Sequence, residues 1–183
     1  MTLSAMLMAV AILIPMFSPV KVIIEPASFT LASHVAIMIA MFISPAVAVA
    51  VELGASIGFF MAGFPFVVVM RALTHVIWAY LGAKYAQKNP QIFEKPIKTL
   101  QFNIVIALIH AIGEMIIVIP FYYGNGMDIQ MFCYMIFGLV GLGTIIHSSI
   151  DFCITLPVWK ALSQSRVITG VSQVKKINLI KNA

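Results

Sequence analysis

Charge is scarce in this sequence. Only 9% of its 183 residues are Asp, Glu, Lys or Arg, whereas a soluble domain keeps about a quarter of its residues charged to cover a water-facing surface. A water-soluble globular domain is therefore excluded. Cysteine is equally sparse: Cys133 and Cys153 sit inside apolar runs, in no CxxC or Cys/His spacing. That excludes a disulfide framework or a Cys-based metal site and leaves both as small helix residues. No GxxxxGK[ST] loop is present, so ATP hydrolysis is not expected of this chain. Span-length alternation of apolar and polar residues is missing too, which excludes a closed barrel. Backbone within hydrocarbon must satisfy its own hydrogen bonds, and helices are the form that remains. No repeat of 20–50 residues and no low-complexity tract interrupts the pattern.

What is present is apolar. These residues make up 62% of the chain and the mean hydropathy is +1.06. Pro, Gly and polar breaks divide the chain into six segments, at about 3–17, 31–44, 46–62, 66–86, 100–122 and 131–159. The expected fold is an all-α integral membrane protein of the cell membrane, a multi-pass bundle of six transmembrane helices. The first segment lacks a basic n-region and a clear cleavage pattern, so it reads as a span and not a secretory signal. The second and third are short for a bilayer and need tilt or local thinning. Residues 1–165 form the expected membrane domain and 166–183 a basic cytoplasmic tail.

Basic residues orient the bundle. Lys84, Lys88, Lys95 and Lys98 flank the fourth-to-fifth connection, and Lys160, Arg166, Lys175, Lys176 and Lys181 follow the sixth span. With both termini cytoplasmic, all nine lie inside, as the positive-inside rule requires. Only Lys21 and Arg71 remain on the outer side. The formal net charge of +5 thus expresses topology and attraction to anionic lipid, and no nucleic-acid partner is expected.

Ionisable groups within spans are costly and mark function or a buried partner. They are His34, Glu52, Arg71, His75, His110, Glu114, His147 and Asp151. Arg71/His75, His110/Glu114 and His147/Asp151 are each spaced i,i+4, which puts both members on one helix face. Counted from the span ends, His34, Arg71 and Glu114 share the outer half of the membrane, while His147 and Asp151 lie deeper. Arg71 needs a counter-charge, either Glu114 or a ligand carboxylate held by its planar fork. Each of His34, His75 and His110 serves equally as a helix–helix hydrogen bond or a ligand contact. Phe29, Trp78, Tyr122, Tyr123 and Asn125 are the aromatic and amide groups nearest the outer mouth. Trp78 either floors a pocket or packs on lipid, and Asn125 stands in a Gly-Asn-Gly turn. Ala5 and Ala9, like Gly54 and Gly58, have the small-xxx-small spacing that lets helices approach closely.

Together these features resemble the substrate-binding S component of an energy-coupling factor (ECF) vitamin transporter. The resemblance covers nearly all of residues 1–160. It rests on the six spans, on Ala5 and Ala9 as the Ala-xxx-Ala motif, and on 18–30 as the first outer loop. Ser33-His34 and Arg71-Ala72-Leu73-Thr74-His75 are similar to niacin-type members, with pantothenate and hydroxymethylpyrimidine types next. It implies a non-enzymatic capture subunit for a small water-soluble vitamin. The implied substrate contacts are Phe29, His34, Arg71, His75, Trp78, His110, Glu114 and Asn125. Ala5 and Ala9 would meet a transmembrane coupling subunit driven by two cytoplasmic ATPases, which use the ATP; no cofactor is implied in this chain. Nickel and cobalt members begin Met-His where this chain has Met1-Thr2, so no metal site is expected. Two other readings compete. A metal-ion carrier would use His110/Glu114 and His147/Asp151, but the second pair is expected too deep to join. An intramembrane hydrolase would use Gly54-Ala55-Ser56-Ile57-Gly58, but GxSxG acts through a strand–turn–helix elbow and here falls within a helix. A stand-alone secondary transporter is disfavoured because no inverted repeat is visible.

Overall fold

The computed structural model describes residues 2–123 and 126–178. Helix α1 (Thr2–Phe17) leads into a hairpin of β1 (Lys21–Ile24) and β2 (Ala27–Thr30). Then come α2 (Val35–Ile43), α3 (Pro45–Met61), α4 (Phe66–Lys88), a 3-10 turn (Pro90–Glu94) and α5 (Pro96–Tyr122). A continuous helical run, α6 (Ile129–Leu162), and the short α7 (Arg166–Val171) complete it. Three of these helices, α4, α5 and α6, are long and apolar enough to cross a membrane; α1 and α3 are shorter apolar helices.

The hairpin corrects the all-α expectation. Val22, Ile23 and Ile24 are β-branched and favour extended backbone. They pair antiparallel with Phe29, Ser28 and Ala27. Four-residue strands are too short to register in a pattern sought over the length of a span. All of β1 is exposed, whereas Ala27 and Thr30 of β2 are buried against the bundle. Lys21 Nζ lies 5.6 Å above the Phe64 ring, tying the hairpin to the α3–α4 corner.

Helix α2 differs from the expected span at 31–44. It has only nine residues, and every one is buried. A helix apolar on all sides belongs in an interior, and α2 packs against α1, α3, α4 and α6. It ends where Ser44 accepts a hydrogen bond from Val47 N at 3.2 Å, capping α3, with Pro45 in the first turn of that helix. Serine at the cap followed by proline both stops one helix and starts the next. At the far end of α2, Phe42 meets Phe93 and Trp159 at 4.9 and 5.4 Å.

The expected tail at 166–183 is, in its described part, packed against the bundle. Val174 and Ile177 are buried. Gln173 Nε2 donates to the carbonyls of Met41 (2.7 Å) and Ala83 (2.9 Å), and Val174 N donates to Phe42 O. The bonds to Met41 and Phe42 satisfy carbonyls at the C-terminal end of α2 that the helix itself leaves free, and the bond to Ala83 ties the segment to α4.

Glycines set the α1–α3 distance. A Cβ at Gly58 would lie 2.5 Å from Ile12 O and 2.7 Å from its Cα, whereas one at Gly54 would meet only the flexible Met8 side chain. Gly58→Val should therefore lower stability by about 1–3 kcal/mol, because backbone has to separate, while Gly54→Ala is absorbed. Thermal unfolding in detergent reads the difference, and equal melting for both variants would refute it.

Candidate functional site

Seven of the eight ionisable side chains in the spans meet as one buried polar cluster under the hairpin, and His147 joins it at the edge. Antiparallel packing of α4 on α5 brings Arg71 opposite Glu114 and His75 opposite His110. Arg71 Nη2 donates to Glu114 Oε2 at 2.7 Å, and its Nη1 donates to the Pro26 carbonyl of the hairpin at 2.5 Å. Glu114 Oε1 accepts from His75 Nε2 (3.0 Å) and His110 Nε2 (3.3 Å), and Thr144 Oγ1 donates to Glu114 Oε2. The question left open by the sequence, Glu114 or a ligand for Arg71, is answered in part: Glu114 takes one arm of the fork, and a backbone carbonyl takes the other.

His34 is central. It precedes α2, and its ring centroid lies 4.9 Å from His75, 4.8 Å from His110 and 4.9 Å from His147. His75 and His110 are 4.4 Å apart. Asp151 of α6 accepts from Ala32 N (2.8 Å), His34 N (3.1 Å) and His34 Nδ1 (2.9 Å). His147 Nε2 lies 3.4 Å from Ser33 Oγ.

That arrangement overturns the expected depth of His147 and Asp151. The sequence puts them too far inside to join the outer groups, yet both touch the turn that holds His34. The physical reason is the length of α6. Its 34 residues span about 51 Å at 1.5 Å per residue, well beyond a hydrocarbon core of about 30 Å. The Thr144–Glu114 bond shows that about four turns of α6 precede the level of Glu114. Depth counted from the start of such a helix overshoots. A π-helical stretch, Tyr134–Leu142, lies within those preceding turns, and Gly143 just after it leaves room for the Phe29 ring.

Trp78 packs beneath the cluster and not on lipid: it is 1% exposed, with its ring 5.2 Å from His110 and 5.9 Å from His34. Phe29 stands at the opposite edge, 5.5 Å from His147. Asn125 lies outside the described residues. Glu52 is an ionisable group of the spans to which the sequence assigns no role. It is fully buried, accepts from Ser56 Oγ at 2.9 Å and has Oε2 3.7 Å from His75 Nδ1. Ser56 thus spends its hydroxyl on Glu52 one turn away, inside helix α3, where no nucleophile elbow exists. Ala5 and Ala9 are exposed on α1, away from this site.

Several buried polar atoms in the cluster find no hydrogen-bond partner among the described residues: Glu52 Oε2, Arg71 Nε, His110 Nδ1 and Trp78 Nε1. Between the hairpin and the cluster lies a small cavity with room for roughly one water molecule, lined by Ser28, Thr30, Ser33, His34, Phe59, Val68, Arg71, Ala72, His75 and Glu114. Buried polar atoms without partners are uncommon; of these four residues Arg71 lines the cavity, while Glu52, His110 and Trp78 pack around His75.

An alignment of 177 residues, spanning 96% of this chain and 79% of the relative, gives 38% identity to the niacin transporter NiaX of Lactococcus lactis subsp. cremoris (strain MG1363). No protein-family model matches the chain. No solved structure matches it either.

Proposed function

The chain belongs to the niacin-type S components of ECF vitamin transporters, multi-pass membrane proteins, and from that premise we propose that its polar cluster captures nicotinate from outside the cell. One observation carries this reading. Arg71 is 3% exposed, and half of its fork is held only by the Pro26 carbonyl of the hairpin. A carboxylate is a stronger acceptor for guanidinium than a neutral carbonyl, so the nicotinate carboxylate takes the place of Pro26 at Nη1 while Glu114 keeps Nη2. The pyridine ring then lies over His34, His75 and His110 with Trp78 as floor. Phe29 belongs to the mouth. Because the crevice holds only about one water, the hairpin lifts to admit the ligand and closes over it, which excludes water and strengthens the charged contact.

In this reading six helices cross the membrane within residues 1–165, both termini are cytoplasmic, and 166–183 lies on the cytoplasmic side. The exposed Ala5 and Ala9 meet a transmembrane coupling subunit, and two cytoplasmic ATPases supply the energy. The chain itself catalyses no reaction. Titration calorimetry on the purified protein in mild detergent should show one saturable nicotinate site per chain, with nicotinamide weaker because it lacks the charge. No saturable nicotinate binding would end the reading.

A further inference from the structure

We propose that His34, His75 and His110 hold one divalent cation of the zinc class, and that the pyridine nitrogen of nicotinate completes its coordination. The second half rests on the nicotinate reading; the first does not.

Three observations support the cation. First, one ring nitrogen from each of His34, His75 and His110 lies within 4.8 Å of the others. A tetrahedral zinc site with bonds of 2.0–2.1 Å spaces its nitrogens about 3.3 Å apart, so these side chains need to draw in by up to about 1.5 Å. Second, two of the three ligands present a nitrogen without a protein partner, while His75 has Nε2 on Glu114 and Nδ1 3.7 Å from Glu52. His34 Nδ1 is tied to Asp151 at 2.9 Å, which leaves Nε2 as the free nitrogen, the arrangement in which a carboxylate steers a metal-bound imidazole. His110 Nδ1 is buried and has no hydrogen-bond partner among the described residues. Third, the charge does not balance. Glu52 from α3, Glu114 from α5 and Asp151 from α6 face the same space, against the single guanidinium of Arg71 from α4. Three carboxylates against one fixed cation call for positive charge in this buried space, which a bound cation or protons on the imidazoles supply. Isolated buried charge is strongly unfavourable.

The donor set also narrows the metal. Three imidazoles with carboxylates behind them suit zinc and its borderline neighbours, whereas calcium and magnesium take oxygen ligands. Three protein ligands leave a fourth position open, and an aromatic nitrogen is a chemically matched occupant. This reverses the expectation that no metal binds. That expectation followed from Met1-Thr2 in place of Met-His, and depth counted only against a carrier that pairs His110/Glu114 with His147/Asp151; Asp151 instead orients His34.

The test uses full-length protein carrying a tag without histidine, purified in mild detergent, stripped with a chelator and titrated with zinc chloride alone. One saturable zinc site per chain is expected, lost in His110→Gln; should that variant not fold, His75→Gln takes its place. Nicotinate should then bind the zinc-loaded protein at least about tenfold more tightly than the stripped protein, the smaller end of what a metal-site contact contributes. Stripped protein that takes up no zinc overturns the proposal and assigns the charge balance to protons on the histidines. A zinc site with equal nicotinate affinity in both forms overturns the coordination half alone. A zinc site with no nicotinate binding in either form upholds the cation and sinks the nicotinate reading instead.

Discussion

Replacing Arg71 with alanine is expected to weaken nicotinate binding by roughly thirtyfold or more, equivalent to about 2 kcal/mol, the lower end for truncating a buried charged pair. Arg71 is the one permanent cation in the cluster, and its Nη1 is the arm available to the ligand. Without it the carboxylate of the vitamin faces Glu114 directly. Nicotinamide is the informative control, because it keeps the ring and loses the charge. Calorimetry should show its affinity changing far less than that of nicotinate. An equal loss for both ligands would make Arg71 a structural residue. Folding has to be separated from binding, since removing one member of a buried ion pair costs about 3–5 kcal/mol through the charge left behind. Arg71→Ala combined with Glu114→Gln removes that charge. The double variant should melt closer to the wild type while still failing to distinguish acid from amide.

Asp151→Ala should cause the largest loss of stability of any single change in the cluster. Its carboxylate accepts two backbone N–H groups, those of Ala32 and His34, and the His34 ring. Ala32 occupies the left-handed region at φ 66°, which costs an L-residue about 1–2 kcal/mol, and Asp151 holds it there. Alanine leaves both N–H groups buried without partners, at about 1–3 kcal/mol each, so a loss of at least about 3 kcal/mol is expected. Because β2 runs directly into this turn, the hairpin should loosen together with the cluster. A fall in melting temperature, accompanied by faster proteolysis between Ser18 and Thr30, is the expected pair of results. An unchanged melting temperature would show that the turn is held by other contacts.

Solvent preference was legible from composition alone. A chain with 9% charged residues has to place apolar surface in a bilayer, and the missing apolar–polar alternation then leaves helices without reference to any contact. The Arg71–Glu114 pair was also within reach, since depth counted from the facing ends of two antiparallel helices places both at one level. Ser44-Pro45 announced its own helix boundary through capping chemistry, and Gly58 announced a close approach through its spacing. Such features depend on neighbours along the chain, and the order of residues records them.

Tertiary structure decided the rest. Asp151 belongs with His34 because α6 overshoots the bilayer, a fact that depends on where α5 sits beside it. Glu52 enters the cluster because α3 packs against α4 and turns that carboxylate toward His75. The hairpin forms because four β-branched or small pairs find the bundle mouth to lie on, and Gln173 reaches Met41 and Ala83 only when α2 and α4 end side by side. In each case the partners are far apart in the chain and come from different elements. The free energy of burying a polar group depends on what it meets there, and periodicity along one helix carries no record of the facing helix.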